Sequence, residues 1–407
     1  MDGPRLALRR ARLRHPRLRL SGVVDVLVIG AGAWGLPSAL NLASRGHRVT
    51  LVDQYGPGNP YASSGGTTRL WRAADPSERR ARAQLRAIAA MDRLGARLGT
   101  PVTRRLGLLW RDDAQLESTR ASLDAVGSPY RPVRASEVGE VFPGLRPDGR
   151  DALLVEQAGV VLADVLLAGA MRSFRDSGGR AQVRTGVAAV EVSGPGVTAR
   201  TVAGELLRAD HVVIAAGPGS RRLLAGLGVR LPLQSYLEQV VHFPDPGHPD
   251  RYDRFPCFFD APSGDEPGIY CMPAGEKGYK VGLDAPLRRL EPGDDDRSPV
   301  EARTERIRRR VERDLTSIVA VPGEQQVCSW TDSPDGDFVI DRLSDRVTVA
   351  CGDSGEGFKF SALVGEHVAD LVEDRADPEL AEQWGVARLP EEAEGCDVRA
   401  PSAMGRH

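Results

Sequence analysis

The sequence is short of cysteine and of net charge, and each shortage closes off a class of function. Five cysteines, Cys257, Cys271, Cys328, Cys351 and Cys396, are scattered through 407 residues with no CxxC pair. Neither a disulfide framework nor a zinc site is expected from that set, and the compartment reads as reducing. With 54 basic and 56 acidic residues the formal charge is −2, which leaves no global field for nucleic acid or anionic lipid. No apolar run approaches the roughly 20 residues that cross a bilayer. Internal repeats and low-complexity blocks are also missing.

A chain of 407 residues is too long for one simple core and suits two interlocked domains. The opening MDGPRLALRRARLRHPRLRLSG is arginine-rich and nearly free of acid, superficially like a transit peptide. It lacks the apolar segment of a secretory signal, and residues 1–22 are read as a disordered basic extension or the product of an upstream start codon. The acidic, polar stretch 390–407 is likewise read as a disordered tail.

Organised sequence begins at VVDVLVIG (23–30), an apolar run ending in glycine, as expected for a parallel strand buried on both faces. AWGLPSALNLASRG follows with helical spacing, Pro37 in its first turn and Gly46 as a stop. HRVTLVD then predicts a second strand ending at Asp53. The stretch SERRARAQLRAIAAMDRLGARLG predicts a long helix with Leu85, Ile88, Ala89 and Leu94 along its inner side. Another helix is expected over ADVLLAGAMRSFRDSGG, and strands over AQVRTGVAAVEV and VTARTVAGELLRADHVVIAAG. Residues 232–325, richer in proline and aromatics, predict a mainly antiparallel domain. Cys328 stands out because QQVCSWTD places it at the edge of a loop, before DSPDGDFVID, where a buried structural thiol is least expected.

The glycines of GAGAWG fall at Gly30, Gly32 and Gly35. The first makes a tight turn, the second lets main-chain N–H groups approach a pyrophosphate, and the third lets helix and strand pack closely. Asp53 lies 18 residues after Gly35 at the predicted strand end, where a carboxylate accepts hydrogen bonds from an adenosine ribose. Strand, glycines, helix, strand and acid in that order mark a dinucleotide site, but the motif alone does not separate NAD from FAD.

Six segments in order, GAGAWG, SSGGTTRLWR, HVVIAAGPGS, GYKVGLD, VCSWTDSPDGDFVID and GDSGEGFKF, resemble the FAD-dependent amine oxidases. That family includes monomeric sarcosine oxidase, N-methyltryptophan oxidase, pipecolate oxidase and the imino acid oxidase of nikkomycin biosynthesis. The resemblance runs from about Val23 to about Asp374. It implies an α/β chain of two domains, a Rossmann-type FAD-binding domain interleaved with an antiparallel-sheet substrate domain. The expected boundaries are 23–100, 165–231 and 326–385 for the first, and 101–164 and 232–325 for the second.

What the resemblance implies for individual residues is specific. Cys328 matches the cysteine that carries FAD through a thioether. Arg72 and Lys359 match the pair that holds the substrate carboxylate, Arg69 the cation beside the flavin ring, and Lys280 the lysine that activates oxygen. Ser63, Val187, Gly357 and Phe358 join Gly30, Gly32, Gly35, Asp53, Arg69, Cys328 and Lys359 as cofactor contacts. Cys271, Asp284 and Trp330 join Arg72 and Lys359 around the substrate, while Cys351 reads as core. Gly65, Asp284, Trp330 and Glu356 depart from the sarcosine oxidase pattern, so sarcosine itself is not the expected substrate.

The implied reaction is oxidation of an α-amino or imino acid, a secondary, N-methyl or cyclic amine with a free carboxylate. Hydride passes to flavin, O2 is reduced to H2O2, and the imine hydrolyses or tautomerises. A dehydrogenase using another acceptor shares the first half of that reaction. A non-catalytic flavin-binding subunit would keep GAGAWG and Asp53 but not Arg72 and Lys359, and both are present. A cytoplasmic monomer with small-molecule partners only, and no metal, completes the expectation.

Overall fold

The computed structural model describes residues 22–194 and 196–390. The expectations for the basic extension and the acidic tail, and Cys396 with them, lie outside the described residues, apart from Gly22 and Pro390. The described residues divide into two compact units, the first formed by 22–64, Leu167–Ser235 and 330–390, the second by Gly65–Leu166 and Tyr236–Ser329.

The first unit is built on a six-stranded sheet in the order Val339–Ser344, Val347–Cys351, His211–Ile214, Asp25–Ile29, Arg48–Asp53, Arg180–Val183. All neighbouring pairs are parallel except the first. Asp25–Ile29 lies inside this sheet, in register Val28↔Leu51 on one side and Val28↔Val213 on the other. That position explains a strand apolar at nearly every residue. The helix Gly35–Ser44 packs on the helix Ser361–Val372 so closely that a Cβ at Gly365 would lie 2.7 Å from Pro37 Cβ. A small antiparallel sheet, Val187–Ser193, Gly196–Thr201 and Leu206–Ala209, completes the unit.

The second unit carries a nine-stranded sheet. Its strands Gln234–Phe243, Tyr279–Leu283, Ile269–Pro273 and Cys257–Asp260 are successively antiparallel, but Cys257–Asp260 then pairs parallel with Leu108–Arg111. One face of the sheet is closed by a core of Phe142, Phe243, Phe258, Cys271, Tyr279 and Val281, with Ile307 and Val311 of the helix Glu301–Asp314. At the edge of this core Asp260, with no exposed surface, accepts two hydrogen bonds of 2.9 Å from Arg111 and one of 2.7 Å from Arg310. Burial of a carboxylate is tolerated because three guanidiniums, Arg150 included, surround it.

Three sequence expectations change. Residues 65–100 fold with the second unit rather than the first, because Thr68–Trp71 pairs with Gly159–Leu162, a strand that also holds Thr103–Arg105. The long helix is Glu78–Leu98, yet its buried stripe is Ala81, Ala83, Gln84, Ala87, Ala90, Met91 and Leu94; Leu85 and Ile88 are half-buried and Ala89 is exposed. Small alanines let that face approach its neighbours, and Gln84 is tolerated because its amide donates to Asp75 Oδ2 at 3.2 Å. Finally, Cys328 is not at a loop edge: it lies within the strand Gln325–Asp332, half-buried between the buried Val327 and Ser329. No helix among the described residues is long and apolar enough to cross a membrane.

Candidate active site

In the first unit the three glycines have distinct steric reasons. Gly30 has φ +106°, and a Cβ there would meet the Ala215 carbonyl oxygen at 2.2 Å. At Gly35 a Cβ would lie 1.9 Å from the Gly30 carbonyl oxygen. Both therefore serve the packing of turn, strand and helix. Gly32 differs, since among the described residues the only atom within 4 Å of its would-be Cβ is Ser64 Oγ at 3.4 Å. The space over Gly32 lies where the helix Gly35–Ser44 begins, and it suits a ligand rather than the fold. Asp53 Oδ2 accepts from Ala31 N at 2.8 Å, which fixes the acid against the glycine turn, while Oδ1 accepts from Tyr55 N at 2.8 Å.

Ser64 Oγ is buried and has no hydrogen-bond partner among the described residues. A polar atom left so beside an open glycine fits the phosphates of a dinucleotide, so the residues present match the cofactor that the motif implies. The sequence reading chose the neighbouring Ser63, which is half-buried. Val187 is 6% exposed, with its side chain in the core beside Ile29 and Val52 and its carbonyl accepting from Arg222 Nη2 at 3.0 Å.

The segment GEGFKF forms a tight turn, Gly357–Phe360, preceded by Glu356. Trp34 Nε1 donates to the Gly357 carbonyl at 2.8 Å, and a Cβ at Gly357 would strike the Trp34 ring at 2.8 Å, so only glycine fits. Phe358 is buried in this turn. The turn presents Lys359, whose Nζ lies 3.2 Å from Glu356 Oε1, with both side chains more than nine-tenths buried. Trp330 is 5% exposed and donates from Nε1 to Asp332 Oδ1 at 2.9 Å. Burial raises the Asp353 carboxyl to about 7, and the carboxylate of Asp332 adds to the effect.

In the second unit, strand alternation decides which side chains share a face. The register Tyr270↔Gly282 and Met272↔Lys280, with Phe259↔Tyr270 and Phe259↔Trp110, puts Trp110, Phe259, Tyr270, Met272 and Lys280 on one side of the sheet. The pairs Phe258↔Cys271 and Cys271↔Val281 put Cys271 on the other. The expectation that Cys271 lines the substrate pocket is therefore corrected: it is a core residue with no exposed surface, and burial pushes its thiol well up. Tyr270, its neighbour, was missed. Its ring lies across Gly282, where a Cβ would be 2.5 Å from the phenol oxygen. Only knowledge of the register with Lys280 could have selected it.

Lys280 is 3% exposed, and its Nζ donates to the Thr68 carbonyl oxygen, which also accepts from Arg69 Nη1 at 2.9 Å. Two cations thus share one oxygen, and Arg69 further donates to the Gly65 carbonyl. Burial, then the Arg69 charge, push the Lys280 ammonium well below its usual range, while Cys328 acts in the opposite direction. Cys328 and Arg69 also bear on the Tyr270 hydroxyl, which burial pushes well up. Arg69, Lys280, Tyr270 and Cys328 therefore form one electrostatic group. Asp284 follows the same strand, 3% exposed, with its N–H donating to the Gly268 carbonyl at 2.7 Å.

Arg72 is only 1% exposed, stacked 4.5 Å over the Trp110 ring and donating to the Ala74 carbonyl, with Asp75 at 4.0 Å. It is an internal arginine on the side of the sheet that carries Lys280. Glu238, a further residue that the sequence did not reveal, accepts from Arg303 Nη2 at 3.0 Å and is pushed up to about 8 by burial.

A glycine turn, a helix beginning over it and an acid at the next strand's end define a dinucleotide-binding unit in a two-unit α/β enzyme. The particular family follows from the sequence: residues 25–371 match the model of the FAD dependent oxidoreductases, and the chain belongs to that family. Human peroxisomal sarcosine oxidase is 29% identical over 85% of this chain and 91% of its own length. N-methyl-L-tryptophan oxidase from Yersinia pestis is 28% identical over 90% of this chain and 99% of its own. Among solved structures, NikD, an amino acid oxidase essential for nikkomycin biosynthesis, superposes with a TM-score of 0.79 at 22% identity, covering 90% of this chain and 98% of that one. The fold and the sarcosine oxidase-like kinship implied by the six motifs agree with these findings.

Proposed function

We propose that the protein is an oxidase of α-amino or imino acids carrying a secondary, N-methyl or cyclic amine. The observation that carries this reading is the group formed by Arg69, Lys280, Tyr270 and Cys328, two cations on a single carbonyl oxygen beside a half-buried thiol. When bound, the flavin supplies the redox chemistry, accepting hydride from the carbon next to nitrogen and returning the electrons to O2 as peroxide. The relatives support this class, being named oxidases of sarcosine and of N-methyl-L-tryptophan.

Gly32, Asp53 and Ser64 are assigned to the dinucleotide, on a turn whose close packing Gly30 and Gly35 permit, with Ser63, Val187, Gly357 and Phe358 as further contacts. Cys328 is assigned as the attachment point of the ring. Lys280 is assigned as the positive charge that favours negative charge developing beside it. Lys359 and Arg72 are the cations assigned to the substrate carboxylate, a point charge and a planar fork. Asp284, Trp330 and Tyr270 are assigned to substrate choice.

The test is a panel of N-methyl and cyclic amino acids with oxygen uptake and peroxide release recorded together. One peroxide per amine consumed is expected. Reduction of the protein-bound flavin that persists in air would instead identify a dehydrogenase, and an absence of yellow colour would remove the reading altogether.

A further inference from the structure

The loop that leads into the strand Thr68–Trp71 wraps the guanidinium of Arg69. Nη1 donates to the Thr68 carbonyl at 2.9 Å, and Nη2 donates to the Gly65 carbonyl. Between those carbonyls Gly66 has φ +93°, a left-handed conformation that glycine adopts without strain. Its missing side chain serves a second purpose. A Cβ there would lie 2.6 Å from Gln326 Oε1, 3.3 Å from Gln326 Nε2 and 3.3 Å from Arg69 Nη1. The amide and the guanidinium therefore meet over one glycine, in space that any other residue would fill. Gln326 reaches this place from the strand Gln325–Asp332, two residues before Cys328. Residues two apart on a strand share a face, and the half-buried Gln326 and Cys328 flank the buried Val327. The two carbonyls bind the guanidinium, while the amide occupies the space over Gly66 into which that long side chain would otherwise swing.

We infer that Gln326 is a positioning residue that holds the Arg69 guanidinium within the group it forms with Lys280, Tyr270 and Cys328. It acts through Arg69, and the inference rests on the reading of Arg69 as the cation beside the flavin ring. Two-electron reduction of a flavin with uptake of one proton leaves an anionic ring. A cation fixed in advance stabilises that anion better than one that must first be ordered.

The experiment measures the two-electron midpoint potential of the flavin-loaded full chain by anaerobic reductive titration against a reference dye. Wild type is compared with Gln326→Met, Gln326→Ala, Arg69→Gln and the double variant Gln326→Met with Arg69→Gln. Methionine keeps the length of glutamine without its amide, so Gln326→Met retains the packing. It is expected to lower the potential by about 30 mV, a tenfold weaker preference for the reduced ring, and Gln326→Ala by at least as much. Arg69→Gln should lower the potential further than either. Adding Gln326→Met to Arg69→Gln should then change nothing more, because the amide acts through the guanidinium. If Arg69→Gln lowers the potential while both Gln326 variants match wild type, the role of Gln326 is overturned and that of Arg69 stands. Full additivity in the double variant overturns it as well, since the amide then acts without Arg69. If Arg69→Gln leaves the potential unchanged, the reading of Arg69 fails and takes this inference with it.

Discussion

At the residue scale, cysteines of one chain have opposite fates according to which way a strand turns them. Cys271 and Cys351 are buried, and burial raises both thiols, so neither is a nucleophile. Cys328 is half-buried and close enough to Lys280 to bear on its charge. Cys328→Ser is therefore expected to release all yellow colour into the supernatant on acid precipitation, while Cys271→Ala keeps colour in the pellet and costs about 1 to 2 kcal/mol of stability. Colour in the pellet of Cys328→Ser would refute the attachment. Lys280→Met should slow reoxidation of reduced flavin by O2 with little change in the anaerobic reduction rate, as measured by stopped flow.

At the scale of the element, the glycine turn separates packing from binding. Gly35→Ala forces a Cβ to 1.9 Å from a carbonyl oxygen, and a loss of about 3 kcal/mol or failure to fold is expected. Among the described residues Gly32→Ala meets nothing nearer than 3.4 Å, so the chain should fold but retain less flavin per mole. Flavin content measured alongside urea unfolding checks both. The Asp260 cluster makes a further case: Asp260→Asn leaves Arg111, Arg150 and Arg310 facing a neutral amide and should cost about 3 to 5 kcal/mol. Of the elements, the strand-helix-strand of the dinucleotide site was legible because its signals are local: an apolar run, glycines, a stop and an acid. The inner stripe of the helix Glu78–Leu98 was not, because hydrophobicity favours Leu85 and Ile88, whereas close packing selects alanines.

At the scale of the whole molecule, each unit buries a neutral histidine. His211 is lowered to about 3 and His242 to about 4, in both cases chiefly by burial. The unfolded chain binds these protons near pH 6.5 and the folded chain does not, so their contribution to stability is present at neutral pH and lost as pH falls toward 4 and 3. Glu238 and Asp353, raised to about 8 and about 7, act in the opposite sense: their contribution is present at low pH and lost as pH rises through those values. Wild type should accordingly lose stability relative to His211→Gln on acidification below pH 6.5, by up to about 1.4 kcal/mol per pH unit. Urea midpoints at pH 7.5, 6 and 5 test this, and a constant difference would show that His211 is not the neutral partner of Thr348 and Asp345.

What the sequence determined by itself is whatever depends on neighbours along the chain: the parallel strand and its glycine turn, the acid at Asp53, and the family kinship carried by six ordered motifs. What only the tertiary structure decided depends on register between distant strands. The pairing of Ile269–Pro273 with Tyr279–Leu283 sends Tyr270 to the side of Lys280 and Cys271 into the core. The ladder from Gly159–Leu162 draws residues 65–100 into the second unit. A shift of one residue in either ladder would exchange the faces, and nothing local in the chain records which register the packing selects.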